Sequence, residues 1–243
     1  MVKLNVYLAH CGVASRRKSV DLIKRGKISV NGKVVTIAYT EINEGTDIVK
    51  IAGKTVKPQK DIYLAVNKPE GYTCTLKDRF AEHKITELIP ASMGKVFPAG
   101  RLDKNTSGLM ILTTDGMFAQ YLTHPSFEVE KEYEVTVTPL FDIKDLVILK
   151  KGIVDRGEKL HICSGKVIKN LLASNTSVIS LVMTEGKKRE IRRMFARLGY
   201  SVISLRRVRI GNIILGELKT GEYRCLSTEE ISFFLKRDVR QHT

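Results

Sequence analysis

Cysteine is scarce and scattered in this sequence. Cys11, Cys74, Cys163 and Cys225 are the four present, each more than 60 residues from the next. No pair has metal-ligand spacing, and the five histidines form no partner motif with them, so neither a structural zinc nor a disulfide framework is expected. Reduced thiols of a cytoplasmic protein are the reading instead. Long apolar runs are also missing. The longest, such as Val178–Met183, suit buried strands and fall well short of the ~18 residues that span a bilayer. The N-terminus lacks a basic stretch followed by a signal-like apolar core, so a soluble protein without a membrane partner is expected. Acidic residues are in deficit, 26 against 41 Lys and Arg. Apolar residues are plentiful at 43%, enough over 243 residues for a packed core and against a disordered chain.

The charge excess is localised. Residues 1–60 hold 12 basic and 4 acidic side chains, and residues 187–209 hold 9 and 1. The rest of the chain is nearly balanced at 20 and 21. Two concentrated basic segments are the footprint of a polyanion partner, and neither carries the Trp/Phe/Leu face of an interfacial helix. Nucleic acid is favoured over a membrane surface.

The first 60 residues read as a unit of their own. Asn5–Cys11 makes a helical turn ended by Gly12, and Ser15 caps a helix through Lys24 that Gly26 ends. Lys27–Val30 and Lys33–Ile37 are strands joined by the hairpin signal Asn31-Gly32. Arg16, Arg17, Lys24, Arg25 and Lys27 crowd this helix and its exit, either as a solvated face or as a site for an anion. The stretches Ala14-Ser-Arg-Arg-Lys and Ile23-Lys-Arg-Gly-Lys-Ile-Ser-Val-Asn-Gly resemble the S4-like RNA-binding domain over about residues 1–48. That resemblance puts Arg16, Arg17, Arg25 and Lys27 on structured RNA.

Lys54–Lys60, with Pro58, reads as a linker. Beyond it, Ile62–Asn67, Leu109–Thr113 and Val178–Thr184 read as strands, and Lys131–Thr138 as a strand with Tyr133, Val135 and Val137 on one face. Met117–Leu122 and Lys188–Leu198 read as helices, and Lys236–Thr243 as a frayed tail. Domain boundaries are expected at 1–56, 57–61 for the linker, 62–238 and 239–243 for the tail.

The chemistry points to Gly100-Arg-Leu-Asp-Lys-Asn-Thr-Ser-Gly108, a polar loop set directly before a buried strand. The spacing excludes a phosphate-binding P-loop. On residue types alone, Asp103 is either a carboxylate held rigidly for chemistry or an ordinary turn cap bonded to local backbone. Tyr133 on residue type alone reads as a cross-strand packing residue of an antiparallel sheet. Arg101 either clamps a phosphate or braces the loop.

The segment is similar to the catalytic motif of pseudouridine synthases of the RsuA/RluB type. The match continues through Asn67-Lys68-Pro69-Glu-Gly71, Lys131-Glu-Tyr133, Glu185-Gly186 and Arg189-Glu-Ile-Arg-Arg-Met194, in the family's order. The resemblance implies an α+β protein. A small N-terminal S4-like RNA-binding domain would precede a catalytic domain built on a mixed, mainly antiparallel β-sheet flanked by helices and loops. It implies Asp103 as nucleophile, Arg192 as its basic partner and Tyr133 as the face on which a flipped uracil stacks. A desolvated carboxylate stays ionised only beside a permanent cation, and a guanidinium suits bidentate pairing with Asp103. The isomerisation involves no redox step, so no cofactor is expected and no metal. Arg101, Arg193, Arg206 and Arg207 are expected on RNA, with Arg206, Arg207 and Arg209 the outward members of the second basic segment. The substrate expected is ribosomal RNA, probed by a monomer. Arg189-Glu190, where some members have His-Gln, leans towards the large subunit rather than the small. Tyr72 and Asn105 depart from the commoner residues of the family. The competing readings are a non-catalytic RNA-binding or ribosome-assembly protein, which retention of Asp103 and Arg192 argues against, and a DNA-binding regulator, for which no recognition helix is evident.

Overall fold

A computed structural model describes residues 1–75 and 82–238. Two compact units are present, residues 1–61 with 114–116 and residues 62–113 with 117–243.

In the first unit, β1 (Val2–Lys3) leads into α1 (Leu4–His10) and α2 (Arg16–Lys24). Ser15 caps α2 by accepting a hydrogen bond from the Lys18 backbone amide at 3.4 Å. The strands β2 (Ile28–Val30), β3 (Lys33–Val35), β4 (Glu41–Ile42), β5 (Val49–Ile51) and β6 (Lys54–Thr55) follow. A four-stranded sheet runs β3-β2-β5-β6. The expected linker thus begins as a strand, since Lys54 and Thr55 pair with β5 and the Tyr7 hydroxyl donates to the Val56 carbonyl at 3.2 Å. Leu4, Leu8, Ile23, Ile28 and Val49 form a fully buried core under the helices.

The second unit is built on one sheet from β7 (Tyr63–Lys68), β8 (Phe97–Pro98), β9 (Ser107–Thr113) and β10 (Lys131–Thr138). The hairpin β11 (Ile153–Asp155) and β12 (Glu158–Leu160) stands apart. The sheet is completed by β13 (Ser164–Leu171), β14 (Thr176–Met183), β15 (Ser201–Ile210), β16 (Ile213–Ile214) and β17 (Tyr223–Cys225). Its order is β13-β14-β10-β15-β9-β7-β17, and the pairing of β9 with β15 is parallel within an otherwise antiparallel ladder.

Helices cover both faces: α3 (Gly116–Thr123), α4 (Asp145–Lys151), α5 (Glu190–Arg197) and α6 (Thr228–Asp238). The central strands are therefore apolar on both sides. Leu64, Val66, Met110 and Leu112 face one core with α4 and α5, while Ala65, Leu109 and Ile111 face another with α3 and α6. On β10 only Tyr133, Val135 and Val137 are buried, as their alternation predicts. Helix α6 continues through Lys236 to Asp238, so the frayed tail cannot begin at Lys236, and the rest of that tail lies outside the described residues.

Candidate active site

The loop between β8 and β9 carries Asp103. It is pinned from several sides through its backbone. The Gly71 amide donates to the Lys104 carbonyl at 2.9 Å, and Lys68 Nζ reaches the same oxygen at 3.4 Å. The Leu102 amide donates to Cys74 Sγ at 3.4 Å, and Leu102 itself is buried in the core. From α5, Arg192 Nη2 donates to the Asn105 carbonyl at 2.7 Å. Asp103 needs no side-chain bond to hold this conformation. Its carboxylate is half-buried and without a hydrogen-bond partner among the described residues.

The expected bidentate pairing of Arg192 with Asp103 is not made. Arg192 Nη1 donates to the Val202 carbonyl at 3.1 Å, Nη2 to Asn105, and its buried Nε has no partner among the described residues. Burial pushes its pKa down, Arg189 adds to this, and the charges of Asp103 and Glu70 oppose it. Arg192 thus acts on Asp103 by proximity, and as a brace for the loop that bears it.

The end of the sheet beside this loop depends on Gly108. A Cβ there would fall inside van der Waals contact of the Arg207 carbonyl oxygen and 2.7 Å from its nitrogen, and φ is +101°. Gly108 is in register with both Lys68 on β7 and Arg207 on β15. Arg207 is in turn in register with Tyr133 on β10. Tyr133 is 8% exposed and packs in the same core as Leu181 and Val135.

Several arginines of the second basic segment differ from expectation. Arg207, read as outward, is 4% exposed and donates to the Leu109 carbonyl at 2.8 Å and to Met110 Sδ. Alternation with buried Leu205 was the available signal, masked by the adjacent Arg206. Arg193, expected on RNA, is occupied internally: Nε meets Asp155 Oδ2 and Nη1 meets Glu158 Oε2, each at 2.6 Å. One turn on, Arg197 Nε meets Asp155 Oδ1 at 2.7 Å. Arg209, read as outward, is held by Glu130 and Glu132. Arg206 is half-buried and Arg101 is exposed. In the first unit, Arg16, Arg17, Arg25 and Lys27 are all exposed. Two of them occupy the first turn of α2, where the helix dipole favours anions and folding alone gains nothing from cations. Tyr72 stacks on His83 with ring centroids 5.1 Å apart.

The clamp on Asp155 fixes α5, and with it Arg192. Hydrogen bonds from Arg193 and then Arg197 hold the Asp155 carboxyl below the usual carboxylate pKa. A depressed folded value contributes stability that is present above the ordinary carboxylate pKa and is lost as pH falls through the folded one. Asp155→Asn is therefore expected to lower the Tm by several degrees at pH 7. Thermal melts should show the gap to wild type closing below about pH 4.

Lys68 and Lys131 were quoted in motifs but given no role by sequence reasoning. Lys68 is fully buried, and burial pushes its pKa down. A cation at the end of an apolar strand, directly before proline, was the signal for it. Among the described residues no group of His, Cys, Asp or Glu could hold a metal ion, and no helix is long and apolar enough to cross a membrane.

A mixed, mainly antiparallel sheet covered by helices, with a half-buried carboxylate in a braced loop and a separate unit whose helix carries exposed cations, makes this an α+β protein with a candidate polyanion-binding unit. Residues 62–197 match the family model described as RNA pseudouridylate synthase, and residues 2–48 match the S4 domain. The chain is 36% identical to "Ribosomal large subunit pseudouridine synthase B" of Bacillus subtilis, over 95% of this chain and 94% of that one. It is 37% identical to an "Uncharacterized RNA pseudouridine synthase" of Aquifex aeolicus, covering 98% of each. A solved structure, "Crystal structure of pseudouridylate synthase", is similar with a TM-score of 0.65 and 30% identity, over 96% of this chain and 99% of that one. The chain belongs to the RNA pseudouridylate synthase family, with an N-terminal S4 domain, and it is an isomerase.

Proposed function

We propose that this enzyme converts a specific uridine of large-subunit ribosomal RNA to pseudouridine in the cytoplasm, with Asp103 as its nucleophile. The observation that carries the reading is the Asp103 carboxylate, without a hydrogen-bond partner among the described residues, in a loop whose backbone is pinned by Gly71, Lys68, Cys74 and Arg192. A preorganised carboxylate with no partner is poised for an incoming carbon rather than for capping a turn. Its attack at C1′ pushes the electron pair of the C1′–N1 bond onto the base. The base then turns, and C5 attacks C1′ as the carboxylate leaves. A proton lost from C5 and one gained at N1 balance the isomerisation.

Arg192 supports the loop and lends its charge to the site. Tyr133, in register with Arg207 on the neighbouring strand, receives the face of the extruded base. Arg16, Arg17, Arg25 and Lys27 bind structured RNA through phosphates, with Arg101 and Arg206 contributing beside the site, and the binding is strongly salt-dependent. The large subunit is favoured by the likeness to the Bacillus subtilis protein so named. Pseudouridine mapping in ribosomal RNA from cells with and without this protein tests the assignment. One large-subunit position is expected to revert to uridine. Loss confined to the small subunit, or no loss, overturns it.

A further inference from the structure

Three of the six described arginines of the second unit that are buried or half-buried sit on carboxylates: Arg193 on Asp155 and Glu158, Arg209 on Glu130 and Glu132, Arg224 on Glu230. Three cations at one end of the sheet do not. Among the described residues Lys68 Nζ donates only to the carbonyls of Pro69 and Lys104, at 2.9 and 3.4 Å. Lys131 Nζ donates to those of Val129 and Thr184, at 2.9 and 3.1 Å. Arg207 donates to a carbonyl and a thioether. Every acceptor is neutral.

The three share one face of the sheet. Lys68 continues the row of Leu64 and Val66, Arg207 that of Leu205, and Lys131 that of Tyr133 and Val135, all members of one core cluster. Arg207 on β15 lies between the two lysines, with Lys131 on the neighbouring β10 and Lys68 on β7 beyond Gly108 of β9. Gly108, on the strand between β7 and β15, is what lets the row close up. Capping carbonyls requires a donor and not a charge, and a neutral donor would avoid the cost of desolvating three cations without counterions.

We propose that Lys68, Arg207 and Lys131 form a cationic floor that stabilises the negative charge of the base once it has left the ribose. The inference rests on the reading of Asp103 as nucleophile, because breaking C1′–N1 leaves its electron pair on the departing base as a monoanion. Lys68 is fully buried and Arg207 nearly so, which suits a field acting through the site floor better than direct clasping of a phosphate. These are positioning residues that act through the field and not by contact.

Lys131, the most accessible of the three, is the one to vary. Its neighbours leave Arg207 as the charge acting on it, because β14 ends beside it in uncharged Met183 and Thr184. Burial first, and then Arg207, push its pKa down to about 8. The full-length chain is assayed on ribosomal RNA transcripts of both subunits. Lys131→Gln, which keeps a donor without the charge, is expected to lose roughly 10- to 100-fold in kcat with KM little changed. Lys131→Arg should recover most of it. Wild-type kcat should fall as pH rises through about 8, while the Arg variant stays active at higher pH. Full activity of the Gln variant assigns Lys131 to capping alone and overturns the floor. A rise in KM at constant kcat, with a salt slope reduced by about one, assigns the cation to a phosphate and also overturns it. Asp103→Asn is run alongside. If it is inactive while Lys131→Gln is fully active, the floor alone falls, whereas turnover by Asp103→Asn removes the nucleophile itself.

Discussion

Asp103→Asn is expected to abolish pseudouridine formation, by on the order of 10⁴-fold or more, while RNA affinity stays within a few-fold. A carboxamide is nearly isosteric with a carboxylate but is not a nucleophile at C1′, so the whole contribution of covalent attack is lost. The environment makes the substitution clean. Asp103 makes no side-chain hydrogen bond among the described residues, and its loop is held through backbone contacts at residues 102, 104 and 105. Stability should therefore change by no more than about 0.5 kcal/mol. Single-turnover assays with purified protein, filter binding and a thermal melt read the three quantities separately. Retained turnover would remove Asp103 from the chemistry. Matched loss of binding and activity would make it an RNA contact instead.

The second large effect belongs to Gly108→Ala. The new methyl would meet the backbone carbonyl and nitrogen of Arg207 across the parallel junction of β9 and β15, at a residue whose φ of +101° already disfavours a side chain. Backbone on both sides cannot swing aside as a flexible side chain would. Strain and overpacking together are expected to cost about 3 kcal/mol or more, a large fraction of a typical domain's stability. Because β9 leads out of the Asp103 loop, activity should fall with stability, and the variant should expose its core earlier in a urea titration. An unchanged midpoint would mean that the two strands separate without penalty.

The candidate site was legible to different depths at different residues. Asp103 stood out through a polar loop before an apolar strand, but composition left it balanced against a turn cap. Only the geometry shows a carboxylate with no hydrogen-bond partner among the described residues. Tyr133 could be read as platform or packing residue, and its 8% exposure in register with Arg207 is consistent with a residue at the boundary between the two. Arg192 was expected to pair with Asp103 and braces the neighbouring carbonyls instead. Lys68 and Lys131 stand in the motifs but carry no role there, because a lysine at a strand end has the same letter whether it is solvated or sealed under a sheet.

Local patterns were determined by the sequence alone. The Ser15 cap, the Asn31-Gly32 hairpin, the apolar run of β9 and the alternation of β10 depend on neighbours within a few residues, and the energies that set them are local. The concentration of cations in residues 1–60 and 187–209 was equally plain, and so was the polyanion it implied. Which of those cations remain available was decided by tertiary structure. Asp155 and Glu158 come from about 35 to 42 residues before Arg193 and Arg197, and Glu130 and Glu132 from 77 to 79 before Arg209. Charge pairing depends on distance in space, and folding brought those carboxylates to α5 and β15. Among the described residues it left Lys68, Arg207 and Lys131 with none, on the sheet face that continues from the loop of Asp103.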